Sequence, residues 1–291
     1  MLSLRLGILI LLGVGVSFAA NHIAARIAFD HGATVAAGVA VRATTCALIL
    51  LAMMRLQGVR LAVPRGLRRW SLLAGMLITT QSYCLYSAIA VIPPALALLV
   101  FQTSPMLFVL ITWAMGKEPP RWKALPPMLL GLAGLALALN LDLGRLEARW
   151  SEIGVGVLWA FAAGLSMSVV YYLNTHVIRA MDGRVRTFVM TSVTATLVIV
   201  GGTATQAIVF PRDAAGLMGL VGLAFFYCIA MISLFFVLPR LPSTSTVALN
   251  VEPIALLFMG WLFLGHTVTP LQIVGAFITV GAIIWLGAGK H

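Results

Sequence analysis

Charge is scarce in this chain. Only 9% of its 291 residues are charged and just eight residues are acidic, where a soluble domain keeps about a quarter of its residues charged. That scarcity excludes a solvated globular surface and a charge-rich disordered tail alike. Cysteine is sparse too. Cys46, Cys84 and Cys228 each lie inside an apolar run with no CxxC or Cys/His spacing, which argues against a disulfide scaffold and a metal centre. No GxSxG, HExxH, P-loop or dinucleotide fingerprint stands in a supporting context, so neither an enzyme nor a cofactor is expected.

What the chain has instead is apolar length. The hydrophobic fraction is 61% and the mean hydropathy +1.05, the composition of an integral membrane protein. The net charge of +11 would suggest nucleic acid in a soluble chain. Here the arginines sit in short loops between apolar runs, where they act as topology signals. The expected partner is the lipid bilayer, with no nucleic acid.

A helix needs about 20 mainly apolar residues to cross a bilayer. Ten such spans can be drawn, at roughly 6–28, 33–54, 70–91, 94–115, 124–141, 153–177, 187–209, 216–238, 243–264 and 270–288. Connections are short and punctuated by proline and glycine, as in "VIPPA" (91–95) and "LPRLP" (238–242). With ten spans, 14 of the Lys and Arg residues fall on the side of the termini and four on the other, and Arg42 lies inside a span. The positive-inside rule then places both termini in the cytoplasm. The first run also has the outline of a signal peptide, but its partner in the second half of the chain favours a retained span.

That partner belongs to an internal repeat. "SPMLFVLITWAMGKE" (104–118) lies over "EPIALLFMGWLFLGH" (252–266) at an offset of 148, pairing Pro105 with Pro253, Ser104 with Glu252 and Glu118 with His266. At an offset of 149, Gly7, Gly15 and Ser17 fall on Gly156, Gly164 and Ser166. Five spans per copy is an odd number, so the second copy enters the membrane from the opposite side. The expected fold is therefore an all-α membrane protein of ten transmembrane helices, built as two inverted five-helix repeats, 1–144 and 145–291. That architecture is typical of secondary transporters, whose sites lie near the midplane between repeats.

The ten spans in two sets of five, with "SPMLFVLITWAMGKE" closing the fourth and "VEPIALLFMGWLFLGH" the ninth, resemble the drug/metabolite transporter superfamily, and within it the EamA type. The resemblance covers essentially the whole chain. It implies export of amino acids, other small metabolites or drugs across the bacterial inner membrane. The aromatic content of the spans is similar to the aromatic amino-acid exporter branch. The family usually ends both repeats with glutamate, whereas this chain has Glu118 and then His266.

Candidate site residues follow from polar and aromatic groups inside spans. Arg42 and Glu252 are ionisable and lie near the midplane, where each costs about 2.5–3.5 kcal/mol. They are expected either to pair, with each other or with other polar groups, or to act in substrate binding or coupling. Pro105 and Pro253 remove a backbone donor and mark a helix break or hinge. Phe101, Gln102 and Asn250, beside those breaks, are candidates to line the substrate pocket. Tyr83 and Tyr86 in the third span, Trp159 and Ser166 in the sixth and Tyr227 in the eighth are candidates to line a substrate pocket, with packing as the plainer reading. His22 and His176 read as interfacial. Glycines of the fifth span (Gly131, Gly134) and tenth (Gly275, Gly281) permit close helix packing, and a homodimer is possible. A secondary carrier exporting amino acids by alternating access is the leading functional expectation. The alternatives are an exporter of drugs or other metabolites and, from another class, a channel or membrane receptor.

Overall fold

The computed structural model describes residues 4–117, 125–138, 146–237, 249 and 251–288. Among these it is helical, with no strand. The helices are α1 (Leu4–Asp30), α2 (Val35–Leu56), α3 (Arg68–Val91), α4 (Pro94–Phe101), α5 (Ser104–Ala114), α6 (Leu125–Ala138), α7 (Leu146–Tyr172), α8 (Gly183–Ala204), α9 (Ala214–Val237), α10 (Glu252–Leu264) and α11 (Pro270–Ala288). α7 runs on into a wider π turn at Leu173–Val177.

Seven of the expected spans reach crossing length: α1, α2, α3, α4 with α5, α7 with its π turn, α8 and α9. α6, α10 and α11 are shorter apolar helices. The packing is that of a protein in lipid. Ala19, Ala25, Ala28, Ala37, Ala74, Ala88, Ala97, Ala160 and Ala163 are fully buried, while Leu48, Leu72, Leu129, Val155, Met218 and Phe258 are each more than half exposed. Small residues let backbones approach, and in hydrocarbon close packing replaces the hydrophobic drive between helices.

The two halves interlock. α1 packs along α9 and against α10, while α7 packs along α3 and against α4 and α5. α2 meets α8, and α6 meets α11. Two glycines from equivalent places in the repeat stand at close joints between the halves. A Cβ at Gly15 would lie 2.6 Å from Val251 Cγ1 and 3.2 Å from the Leu249 carbonyl. One at Gly164 would lie 3.2 Å from the Phe101 carbonyl and 3.3 Å from Thr103 Oγ1. The second half's first helix is thus pressed against the break between α4 and α5, and the first half's against the residues at the start of α10.

The fourth span does break beside Pro105, with the proline on the C-terminal side of the break. Pro105 and Pro253 both sit in the first turn of a new helix, α5 and α10. A missing N–H costs nothing there, because the first turn's donors have no intrahelical partner anyway. The interruption in the fourth span lies just before the proline, at Gln102 and Thr103.

Loops gather at two ends. At one, Thr34 Oγ1 donates to the Ala207 carbonyl (2.7 Å) and accepts from Val209 N (3.0 Å), and His31 pairs with Asp213. At the other, Arg184 donates to Gln57 Oε1 (2.9 Å), and Val59, Val63 and Leu67 pack on Met54, Met181 and Val185.

Candidate functional site

Polar side chains on five helices converge in the interior. α1 brings Phe18, Asn21 and His22, α2 brings Arg42, α3 brings Ser82 and Tyr86, α9 brings Tyr227, and α10 begins at Glu252. Asn21 and Ser82 are buried outright, and Arg42 and His22 keep less than a tenth of their surface.

Tyr86 is the hinge-pin of the arrangement. Its hydroxyl donates to Asn21 Oδ1 (2.7 Å), and Asn21 Nδ2 donates to the Leu223 carbonyl (2.6 Å). Those two bonds tie α3 through α1 to α9 and fix the ring. One side of it faces Arg42, whose guanidinium carbon is 5.0 Å from the ring centre, and the His22 ring lies 5.8 Å away at a tilt.

Arg42 is flanked by a second ring, Tyr227, at 4.2 Å, with Phe18 edge-on to Tyr227. Its Nη2 donates to Ser82 Oγ at 2.7 Å, and its Nε has no hydrogen-bond partner. Desolvated cation–π contacts contribute about 2 kcal/mol, the same order as the cost of a charge in a span. The rings therefore hold the cation in the bundle in place of a carboxylate.

Glu252 is held otherwise. Oε1 lies 3.2 Å from His22 Nε2, and the residue opens α10, so its carboxylate meets the positive end of the helix dipole. Arg42 and Glu252 do not pair with each other: one is matched by aromatic faces and a serine, the other by histidine and a helix start. Tyr171 of α7 also lies within electrostatic reach of Glu252, with Phe108 of α5 edge-on to the phenol ring.

Of the residues singled out by sequence, the structure brings together Arg42, Tyr86, Tyr227 and Glu252. Tyr83 and Trp159 stand outside the cluster, 40% and 39% exposed on the outer faces of α3 and α7. Ser166 is spent on its own helix, donating to the Ala162 carbonyl at 2.9 Å. Phe101 and Gln102 are half-buried at the break between α4 and α5, where Phe101 packs with Leu98 and Leu256. Asn250 and Glu118 lie outside the described residues. His22 is not interfacial, since it is buried against Glu252. The sequence signal for it was the adjacent polar pair Asn21–His22 within an apolar run. Ser82 carried no comparable signal.

The cluster has no nucleophile beside a general base and, among the described residues, no group of three metal-ligating side chains. It offers one cation, one carboxylate, hydroxyls and aromatic faces, a set suited to reversible binding of a small polar-and-apolar molecule.

Comparison with known proteins bears on the whole chain. The model of the EamA-like transporter family matches twice, over residues 5–140 and 154–288. No curated protein matches the chain. One solved structure, described only as the crystal structure of a protein, superposes with a TM-score of 0.68, covering 98% of this chain and 99% of its own, at 19% identity. At that identity the likeness concerns the fold alone.

Proposed function

The chain belongs to the EamA-like transporter family, with one family domain in each half, and from that premise we propose that it is a secondary carrier for amino acids or related small metabolites. It works by alternating access around the cluster of Arg42, Tyr86, Tyr227 and Glu252. The ten spans form two halves, 1–144 and 145–291, of opposite orientation, and both termini face the cytoplasm of a bacterial inner membrane. Aromatic and hydrophobic amino acids suit the walls best, since Tyr86, Tyr227 and Phe18 offer ring faces and edges beside polar atoms.

One observation carries this reading: the first helix of each half docks on the other half, α7 at the break between α4 and α5 and α1 at the start of α10, with the buried polar cluster beside the latter. Sites between repeats, at broken helices, are where secondary carriers bind. With no nucleotide-binding motif in the sequence, the driving force is a solute gradient.

The test is counterflow in proteoliposomes loaded with unlabelled phenylalanine, tryptophan, leucine or glutamate. A carrier accumulates external label transiently when the vesicle holds the same compound. Label that only equilibrates, whatever the lumen contains, would indicate a channel and overturn the proposal.

A further inference from the structure

Arg42 has more binding capacity than the protein uses. A guanidinium carries five N–H donors in one plane. Tyr227 lies over the guanidinium at 4.2 Å from its central carbon, a contact that consumes no donor, while Tyr86, at 5.0 Å, also engages the guanidinium through its side-chain oxygen. Ser82 takes one N–H at 2.7 Å, and Nε has no partner although the side chain is buried. Among the described residues no carboxylate lies within ion-pair distance of it, and Glu252 is engaged by His22 at the start of α10.

From this geometry we infer that Arg42 is the anchor for a carboxylate group on the transported molecule, and that the site selects apolar or aromatic monocarboxylates. The inference rests on the carrier reading above and deepens it. A planar fork with Nε unpartnered and more donors than its neighbours take matches a carboxylate, which accepts two parallel hydrogen bonds from such a group. One unpaired cation calls for one negative charge. The ring walls call for an apolar body, and Asn21 keeps the Tyr86 wall in place through the phenol hydroxyl. A cationic drug is the wrong ligand for this site, since it would meet Arg42 with like charge.

The experiment measures binding with the purified full-length protein in detergent, as thermal stabilisation against concentrations of 3-phenylpropionate and its neutral amide, 3-phenylpropionamide. The acid is expected to stabilise saturably and the amide to bind about tenfold more weakly or worse. Arg42→Gln is expected to erase the difference. Arg42→Lys keeps a charge without the fork, so the acid should remain preferred but bind several-fold more weakly. If Arg42→Gln does not fold, the wild-type comparison and Arg42→Lys decide. The inference is overturned if the acid does not stabilise the wild type, if the amide matches it, or if Arg42→Gln keeps the preference. Counterflow on the same preparation reads the other question separately. Acid binding without exchange keeps the anchor and removes the carrier, and exchange without acid preference does the reverse.

Discussion

Replacing His22 by leucine removes the only side chain that faces the Glu252 carboxylate at ion-pair distance, 3.2 Å among the described residues. Leucine fills similar space, so the loss is mostly electrostatic. A charged group inside a span costs about 2.5–3.5 kcal/mol. The start of α10 offsets about 0.3–1 kcal/mol of that, and at most about 2 in a partly buried setting. The shortfall is on the order of 1–3 kcal/mol, which matches the worth of about 1.5–3 for a hydrogen bond to a charged group. His22→Leu should therefore destabilise the protein by about 2 kcal/mol. Glu252→Gln keeps an oxygen for His22 and should cost about 1 kcal/mol. In the double variant there is no buried charge left to strand, so the cycle should show a coupling of about 1–2 kcal/mol. Unfolding midpoints in mixed micelles, across all four proteins, give the number. Single-variant losses that add within about 0.5 kcal/mol would refute the pairing and leave Glu252 without an identified compensation.

Three further outcomes are expected. Gly164→Val drives a branched side chain toward the Phe101 carbonyl and Thr103 Oγ1 and should cost about 1–3 kcal/mol by overpacking, whereas Gly201→Ala, inside α8 with nothing within 4 Å, should not lower the unfolding midpoint and should raise it slightly through helix propensity. Asp182 caps α8 by accepting from Arg184 N at 2.8 Å, so Asp182→Ala should cost about 0.5–2 kcal/mol; hydrogen bonds from Arg184 hold this carboxyl below its ordinary value of 3.8, so that stabilisation is present above pH 3.8 and disappears as the pH falls through the depressed value. His266, in the turn between α10 and α11, is held below its ordinary value of 6.5 by burial and then by the charge of Arg26, with Asp30 opposing; the unfolded chain takes up a proton there first, so stability should decline as pH falls through 6.5, and His266→Gln should flatten that part of a melting-temperature profile.

Apolar length makes the long spans legible in the sequence, and the prolines mark the interruption of the fourth span to within a few residues. The partners inside were not legible. In a bilayer the lipid-facing and buried faces of a helix are both apolar, so periodicity does not tell inside from outside as it does in water. Tyr83 and Tyr86 illustrate the limit. Three residues apart, they sit about 60° from each other around the helix, and the boundary between bundle and lipid falls between them. His22 and Glu252 are joined only by tertiary packing, and no local pattern in either segment announces the other. The prolines were legible in position but not in action, since the same residue that breaks a helix also begins one well, and only the backbone on its N-terminal side distinguishes the two.

The placement of Glu252 opposite Ser104 in the repeat has a thermodynamic consequence. A carrier made of two identical halves, related by a two-fold axis in the membrane plane, would have inward-open and outward-open forms of equal free energy. Glu252 stands against Ser104, and Arg42 against Met190 at the same offset, so both interior charges break the equivalence. Any change in their burial between the two forms adds directly to the free-energy difference, and about 1.4 kcal/mol is enough for a tenfold excess of one form. In the proposed carrier, these charges would leave the direction of net flux to the gradients while biasing which way the empty protein faces.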